Sequence, residues 1–219
     1  MKRNLTLTVL LVLAGLAVWL SRQFLRPGPL PPNPRTVEQV VDALAPSVRS
    51  RLEPAFQKAG LPYPPARITL QAFKAEKRLD LQAADPSGKL RPVLSWPILA
   101  ASGTAGPKLR EGDGQVPEGT YRIELLNPNS RFHLSLRVNY PNADDLLRAR
   151  TENRDPATLG GDIMIHGGAA SIGCLAIGDQ AVEELFVLAA LTGLDNIQLI
   201  IFPNAREDAT LQIPAYPPE

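Results

Sequence analysis

The sequence contains one cysteine and two histidines, and the cysteine lies close to one of the histidines in a glycine-rich stretch. A short apolar run leads into His166, and Cys174 follows after a turn of small residues. A free thiol is only about a few per cent ionised at neutral pH, and a neighbouring imidazole that accepts its proton removes this limitation. The pair therefore indicates nucleophilic catalysis, with Cys174 as the nucleophile and His166 as the general base.

The turn between these two residues has the composition that such chemistry needs. Gly167 and Gly173 leave the backbone accessible, so the N–H groups of Gly173 and Cys174 can point toward a developing oxyanion. Each reactive residue alone also has a structural explanation. A single cysteine is commonly a small buried apolar residue, and a histidine at a strand end is commonly a hydrogen-bonded polar group. The spacing by itself does not decide between these interpretations.

Apolar periodicity predicts the elements that hold this turn. A capping box from Thr36 to Gln39 opens a helix that ends near Gly60, and Pro46 predicts a kink or a break into two short helices. From residue 67 the apolar period changes to two, which predicts short strands. The expected later elements are strands near 68–72, 79–81, 93–99, 123–125, 133–140 and 196–202, a helical turn at 144–150, and a helix from Asp179 as N-cap to Gly193.

This pattern predicts an α+β fold class. We expect a mostly β domain with a mixed sheet or sandwich and a helix after the cysteine turn, preceded by an N-terminal helical segment and a membrane anchor. The nearly all-apolar strand 196–202 is expected inside the sheet. The predicted parts are a signal or anchor segment at 1–26, a proline-rich spacer and helical segment at 27–66, the catalytic domain at 67–203 and a C-terminal tail at 204–219.

The first residues have the pattern of an export signal. Lys2 and Arg3 precede an apolar run from 5 to 20, and Trp19 near its end suits a membrane interface. We favour a retained anchor over a cleaved signal peptide. A cleavage site at 15–17 and a buried N-terminal helix are the alternatives. With either an anchor or a cleaved signal, most of the chain is expected outside the cytoplasm.

Composition excludes several classes of function. The 219 residues include 23 basic and 22 acidic ones, a formal net charge of +1, so no strong field points to nucleic acid as a partner. A single cysteine excludes an internal disulfide and a Cys-x-x-Cys metal site. With only two histidines, we expect no metal and no cofactor.

The motifs resemble one known family. The segments 165–167 and 171–174, with 112–119 and 139–142 upstream in the same order, are similar to the YkuD-type L,D-transpeptidases, in particular their YafK-like branch. The resemblance covers residues 67–202. It implies an exported enzyme that acts on peptidoglycan stem peptides. Together with the N-terminal segment, this predicts a location in the periplasm or cell envelope, with the inner membrane as a partner through that segment.

The resemblance also implies roles for single residues. Cys174 would attack the carbonyl of the third, diamino acid residue of a tetrapeptide stem and expel the terminal D-alanine. The acyl group would then pass to the amine of another stem, giving a 3→3 cross-link. His166 matches the family's base, the backbone of Gly173 and Cys174 matches the oxyanion hole, and Ser171 is expected to order the turn. The expected substrate contacts are Ser171, Gly167, Tyr140 and Arg137.

Other polar residues are secondary candidates. Tyr140 could donate to the oxyanion or be an ordinary tyrosine at a sheet end. Arg137, Lys108 and Arg110 could hold stem carboxylates, although surface charges are the simpler explanation. The remaining candidates, Asp113, Glu118 and His133, are expected to shape turns or line the cleft.

Two positions depart from the family pattern and leave the acceptor open. Ile172 stands where most members have a histidine, and Ala176 stands where arginine or asparagine is common. These departures resemble the branch in which some members cleave stem amide bonds. The alternatives to a transpeptidase are therefore a hydrolase of the same fold, cleaving bonds at the stem diamino acid, and a non-catalytic peptidoglycan-binding protein.

Overall fold

The computed structural model describes residues 33–205. The predicted signal or anchor segment at 1–26 and nearly all of the predicted tail lie outside this range. In the part of the chain from 33 to 205, no helix is both long and apolar enough to cross a membrane.

The described chain forms three helices and one mixed, eight-stranded sheet. The helices are α1 (Val37–Ala59), α2 (Ala143–Thr151) and α3 (Asp179–Thr192). The strands are β1 (Ile68–Phe73), β2 (Arg78–Ala84), β3 (Leu90–Pro97), β4 (Gly119–Ser130), β5 (His133–Val138), β6 (Met164–His166), β7 (Leu175–Ala176) and β8 (Ile197–Phe202). They are ordered β3-β2-β1-β8-β4-β5-β6-β7. The α+β prediction with a mixed sheet is therefore confirmed.

The central strand is β8, as its apolar run predicted. It pairs in parallel with β1 and antiparallel with β4, and most of its side chains are buried. A strand with neighbours on both edges and apolar contacts on both faces cannot alternate with polar residues, which explains the continuous apolar pattern. This strand joins the β1–β3 half of the sheet to the half that ends in β6 and β7.

Helix α1 starts at the predicted capping box. Thr36 Oγ1 accepts from the Gln39 N–H at 3.1 Å, and Gln39 Oε1 accepts from the Thr36 N–H at 2.9 Å. Its buried face is apolar and spaced at three and four residues. The buried residues are Val40, Val48, Leu52 and Phe56.

The prediction of two short helices around Pro46 is wrong, because α1 continues through both Pro46 and Pro54. A proline inside a helix deprives the carbonyl four residues earlier of its donor. Both prolines and the residues that carry those two carbonyls, Asp42 and Ser50, are exposed. Water can therefore replace the missing donors, and the helix need not end.

Helix α3 connects the cysteine turn to the rest of the core. Glu184 on this helix is only 5% exposed and accepts from Arg51 Nε at 2.7 Å and from Trp96 Nε1 at 2.8 Å. These bonds tie α3 to α1 and to β3. The helix that follows Cys174 is thus held in place by both of its neighbours.

Candidate active site

The pairing of β6 and β7 brings His166 and Cys174 to neighbouring strands, because His166 ends β6 and Cys174 directly precedes β7. The two strands are parallel, with Ile165 opposite Leu175 and His166 opposite Ala176. Continuing this register by one residue brings the Cys174 backbone beside Met164, two residues before His166. Ile165 and Leu175 are fully buried.

His166 is held with one ring nitrogen committed and the other available as a base. Its Nδ1 lies 2.6 Å from the carbonyl oxygen of Gly167. A carbonyl can only accept, so Nδ1 donates and Nε2 carries the lone pair. The ring stacks on Phe132 with centroids 4.5 Å apart. Burial lowers the pKa of His166, partly opposed by the Gly167 hydrogen bond, so the imidazole is neutral at neutral pH.

The thiol of Cys174 is half-buried and points toward the start of β6. Its Sγ lies 3.6 Å from the carbonyl oxygen of Asp162. Burial raises the pKa of the thiol; a hydrogen bond from the Met164 backbone opposes this, the Asp162 charge adds to it, and the Lys108 charge opposes it. The resting pair is therefore a neutral thiol and a neutral imidazole.

The two backbone N–H groups expected in the oxyanion hole are both occupied. Gly173 N–H donates to Ser102 Oγ, and Cys174 N–H donates to Ser171 Oγ at 2.9 Å. Ser171 Oγ in turn donates to the Cys174 carbonyl at 2.6 Å. Gly173 has a φ of +96°, a backbone conformation that favours glycine. Serine hydroxyls thus accept from both of these N–H groups.

Ser102 was not singled out in the sequence, and it reaches the turn from a loop after β3. The loop is anchored next to β7 by a bridge between Ala100 and Ala176. Further on, Thr104 and Gln115 exchange two hydrogen bonds, at 3.0 and 3.1 Å. Ser102 Oγ also donates to Gly114 at 2.7 Å. The loop therefore lies over the cysteine turn and is fixed at both ends.

Two of the expected substrate residues, Arg137 and Tyr140, are held in different surroundings. Arg137 is opposite Met164 and so lies on the same face as His166, with ion pairs to Glu124 at 2.9 Å and Asp162 at 3.4 Å. Tyr140 is buried, its hydroxyl directed at the Lys108 carbonyl at 3.5 Å. Burial raises the pKa of Tyr140, so its hydroxyl stays protonated.

Lys108 is buried rather than a surface charge. Its Nζ donates to the Arg110 carbonyl at 2.8 Å and to Asp113 Oδ1 at 3.0 Å. Burial acts to raise the pKa of Asp113, but hydrogen bonds from the Gln115, Arg110 and Leu109 backbone and from Lys108 lower it to about 2. Asp113 thus organises its loop, as predicted.

Arg110 lines an open cleft of about 600 Å³ together with Arg154 and Gln115. The Gln115 carbonyl lies 3.2 Å from where a Cβ on Gly173 would stand. The cleft therefore adjoins the cysteine turn. Of the other polar candidates, Glu118 forms an ion pair with Lys74 at 2.7 Å, and His133 Nε2 lies 2.9 Å from Glu183 Oε1.

The prediction that Asp179 is the N-cap of α3 is wrong. The cap is Gly178, and Asp179 is the first helical residue. Its Oδ1 accepts from the Gly168 N–H at 2.8 Å instead of from the helix. A Cβ on Gly167 would lie 2.6 Å from this oxygen and 2.6 Å from the Phe132 carbonyl. Gly167 is therefore required for packing beside His166. Among residues 33–205, no three His, Cys, Asp or Glu side chains are grouped to hold a metal ion.

Comparison with a family model and with known proteins shows which family the chain resembles. Residues 74–196 match the YkuD family model, described as the L,D-transpeptidase catalytic domain. Over 151 residues the chain is 36% identical to the protein named "Putative L,D-transpeptidase YafK" of Escherichia coli (strain K12). That match covers 66% of this chain and 57% of the E. coli protein, so the chain spans little more than half the length of this relative.

The fold is also similar to a solved structure, the helical cell shape determining protein Pgp2 from Campylobacter jejuni. The TM-score is 0.50 at 21% identity, over 63% of this chain and 48% of Pgp2. A point mutant of Pgp2 gives a TM-score of 0.51 at the same identity, over 63% of this chain and 47% of that one. The family match covers more than half of the chain and includes both reactive residues. The chain belongs to the YkuD family of L,D-transpeptidase catalytic domains.

Proposed function

We propose that this protein is a peptidoglycan-modifying cysteine acyltransferase, an L,D-transpeptidase, with Cys174 as the acyl carrier and His166 as the base and acid. The observation that supports this most is the position of the two residues on neighbouring parallel strands, with His166 Nε2 left as the acceptor. The substrate class comes from the family.

The first half-reaction forms a thioester. The Cys174 thiol turns from Asp162 toward His166 Nε2 and loses its proton to it, while Sγ attacks the carbonyl carbon of the stem diamino acid. The oxygen of the tetrahedral intermediate is stabilised by the N–H groups of Gly173 and Cys174. The intermediate collapses, the bond to D-alanine breaks, and the leaving amine takes the proton from His166.

Entry of the substrate must change the hydrogen bonding of the turn. Because Ser102 and Ser171 hydroxyls occupy the two N–H donors, the substrate oxygen has to replace or share these contacts. Replacement costs little when one hydrogen bond is exchanged for another of similar strength. We therefore propose that the hydrogen bond from Gly173 N–H to Ser102 Oγ breaks when the stem peptide binds.

The second half-reaction transfers the acyl group. The side-chain amine of another stem attacks the thioester carbonyl and gives up a proton to His166, and the thiolate leaves and is reprotonated. If water attacks instead, the same residues catalyse hydrolysis, which is the alternative that Ile172 keeps open. Ile172, two residues before Cys174, is 76% exposed, and it is an apolar side chain where most of the family has an imidazole.

Residues 67–203 are proposed to carry this reaction in the periplasm or cell envelope. The family and the export pattern of residues 1–26 support this location, with the proline-rich spacer as the connection between anchor and domain. The residues of the anchor lie outside the described range. The location is tested by fractionating cells that express the chain with residues 1–26 and cells that express it without them. We expect the protein in the membrane fraction only when those residues are present.

Product analysis separates the candidate activities. The purified chain is incubated with tetrapeptide-stem muropeptides, and products are resolved by chromatography and mass spectrometry. Release of D-alanine with 3→3 dimers is expected for the wild type, and neither product for Cys174→Ala or His166→Ala. Monomeric products without dimers would assign the hydrolase instead. No turnover despite a reactive thiol would contradict both and leave a binding protein.

A further inference from the structure

The peptide unit between Gly167 and Gly168 lies between His166 and a carboxylate. Its carbonyl oxygen accepts from His166 Nδ1 at 2.6 Å, and its N–H donates to Asp179 Oδ1 at 2.8 Å. The two groups belong to one planar, conjugated amide. The chain of contacts therefore runs from the imidazole through one peptide group to the Asp179 carboxylate.

We propose that Asp179 is a positioning residue that acts on His166 through this peptide group. The inference rests on the proposed function in that it assigns His166 as the base. A carboxylate that accepts from an amide N–H draws the amide dipole toward it and makes the carbonyl oxygen a stronger acceptor, because successive hydrogen bonds polarise one another. The stronger acceptor holds the proton on Nδ1 and stabilises the imidazolium that forms during catalysis.

The local packing fits a fixed relay. Gly167 cannot carry a Cβ, because that atom would stand 2.6 Å from Asp179 Oδ1. Gly178 N–H donates to the Gly168 carbonyl at 3.1 Å, and Ile177 N–H donates to the His166 carbonyl at 2.9 Å. Residues 177, 178 and 179 are thus each hydrogen-bonded to the histidine turn, which leaves the carboxylate little freedom to move away.

The position of Asp179 is not explained by helix capping. Gly178 is the cap residue and makes no side-chain cap bond, and the Asp179 carboxylate bonds outside the helix. In thiol and serine hydrolases a carboxylate or amide side chain contacts the histidine directly. Here the same orienting role is assigned to a carboxylate one peptide group further away.

Other charged groups near the pair act on the thiol or on the second histidine. Asp162 and Lys108 influence the Cys174 thiol, and Arg137 is paired with Asp162. His133, whose Cβ stands 3.1 Å from where a Cβ on Gly167 would be, is paired with Glu183 one turn along α3. Asp179 is the carboxylate bonded to the histidine turn itself.

The test uses the fact that the chain has only two histidines. Histidine-labelled full-length protein gives two imidazole titrations by NMR, and His133→Gln assigns them. Asp179→Asn keeps the size and an acceptor oxygen but removes the charge. We expect the His166 pKa to fall by a fraction of the about 1–3 units that a direct carboxylate contact produces. Single-turnover acylation should slow by about 10- to 100-fold, as for other partners that orient a catalytic ligand.

Glu183→Gln is the matched control, because it removes a carboxylate from the same helix. It should leave the His166 titration and the acylation rate unchanged. The inference would be overturned if Asp179→Asn left unchanged the His166 titration, the nitrogen chemical shifts of the His166 imidazole and the acylation rate. If Asp179→Asn does not fold, Asp179→Ser keeps an acceptor hydroxyl without charge and is measured in the same way. The NMR readouts need no substrate, so they can fail or succeed independently of the proposed acyl transfer.

Discussion

At the scale of single residues, the site combines a protonated thiol with a neutral base. Burial raises the pKa of Cys174 and lowers the pKa of His166, so both directions oppose a preformed thiolate–imidazolium pair. The thiol proton must then move during attack on the substrate. This distinguishes the site from thiol enzymes in which the thiolate exists before the substrate binds.

The pH dependence of thiol alkylation tests this state directly. In the substrate-free protein, the rate of Cys174 alkylation by iodoacetamide should rise only above the ordinary thiol pKa of about 8.5, since only the thiolate reacts. The single cysteine makes the measurement specific. A high rate plateau extending down to pH 5 in the wild type, lost in His166→Asn, would instead reveal a stable ion pair.

Gly167 illustrates a residue whose role is steric. Gly167→Ala should lower the free energy of unfolding by about 1–3 kcal/mol, because the added Cβ would contact Asp179 Oδ1 and the Phe132 carbonyl. Gly161→Ala is the control, since a Cβ there would meet only the Tyr140 carbonyl at an ordinary 3.8 Å. Denaturant unfolding of the two variants gives the comparison. Equal stability of the two would show that the turn can relax around the methyl group.

At the scale of elements, the Ser102 loop is the part of the site with the clearest expected effect on binding. Ser102→Ala removes the acceptor of Gly173 N–H and leaves that donor open for the substrate oxygen. Acylation by a carbapenem or a stem peptide should accelerate by about 2- to 10-fold, the worth of one net hydrogen bond.

The control for this loop is Ser95→Ala, which removes a hydroxyl bonded to Asp80 elsewhere in the sheet. Its acylation rate should match the wild type in the same stopped-flow assay. Slower acylation in Ser102→Ala would mean that the hydroxyl organises the turn for the substrate, and the proposal that it occupies the oxyanion position would be wrong.

The elements themselves could largely be predicted, because their signals are local. The capping box at Thr36, the alternation around β5 and the apolar run of β8 each reflect one element and its burial. Ser102 could not be found in this way, since it is 71 positions from Gly173 and only the fold brings the two together. The break that Pro46 predicted in α1 is absent, because the Asp42 carbonyl that loses its donor belongs to an exposed residue and can bond to water.

The hydrogen-bond partners of individual side chains also could not be predicted from sequence patterns. The types and spacing of His166 and Cys174 made them candidates without deciding between a catalytic and a structural role. That Lys108 is buried, and that Asp179 bonds to Gly168 rather than to its own helix, depends on loops folding back from distant positions. A helix-start signal at Asp179 was correct to within one residue, yet the carboxylate had a different partner.

At the scale of the whole molecule, stability depends on the joint between α1, α3 and β3. Glu184→Ala removes the acceptor for both Arg51 and Trp96 and leaves the Arg51 charge partly buried without its nearest partner. The free energy of unfolding should fall by about 3–5 kcal/mol. Chemical denaturation followed by tryptophan fluorescence measures this change.

Glu53→Ala provides the comparison for this joint. Glu53 makes an exposed ion pair with Arg49 within the same helix, and such pairs contribute little in water. Its unfolding curve should overlay that of the wild type. A loss for Glu184→Ala no larger than that for Glu53→Ala would show that α1 is attached by apolar contacts alone.

The covalent intermediate is the most direct measure of the central claim. The full chain is mixed with a disaccharide tetrapeptide, quenched in acid within seconds, and analysed by intact-protein and peptide mass spectrometry. The proposed mechanism predicts an adduct on Cys174 with the mass of the substrate less D-alanine, and none on Cys174→Ala. A wild-type protein whose thiol is alkylated readily, but which forms no adduct and releases no D-alanine, would contradict it.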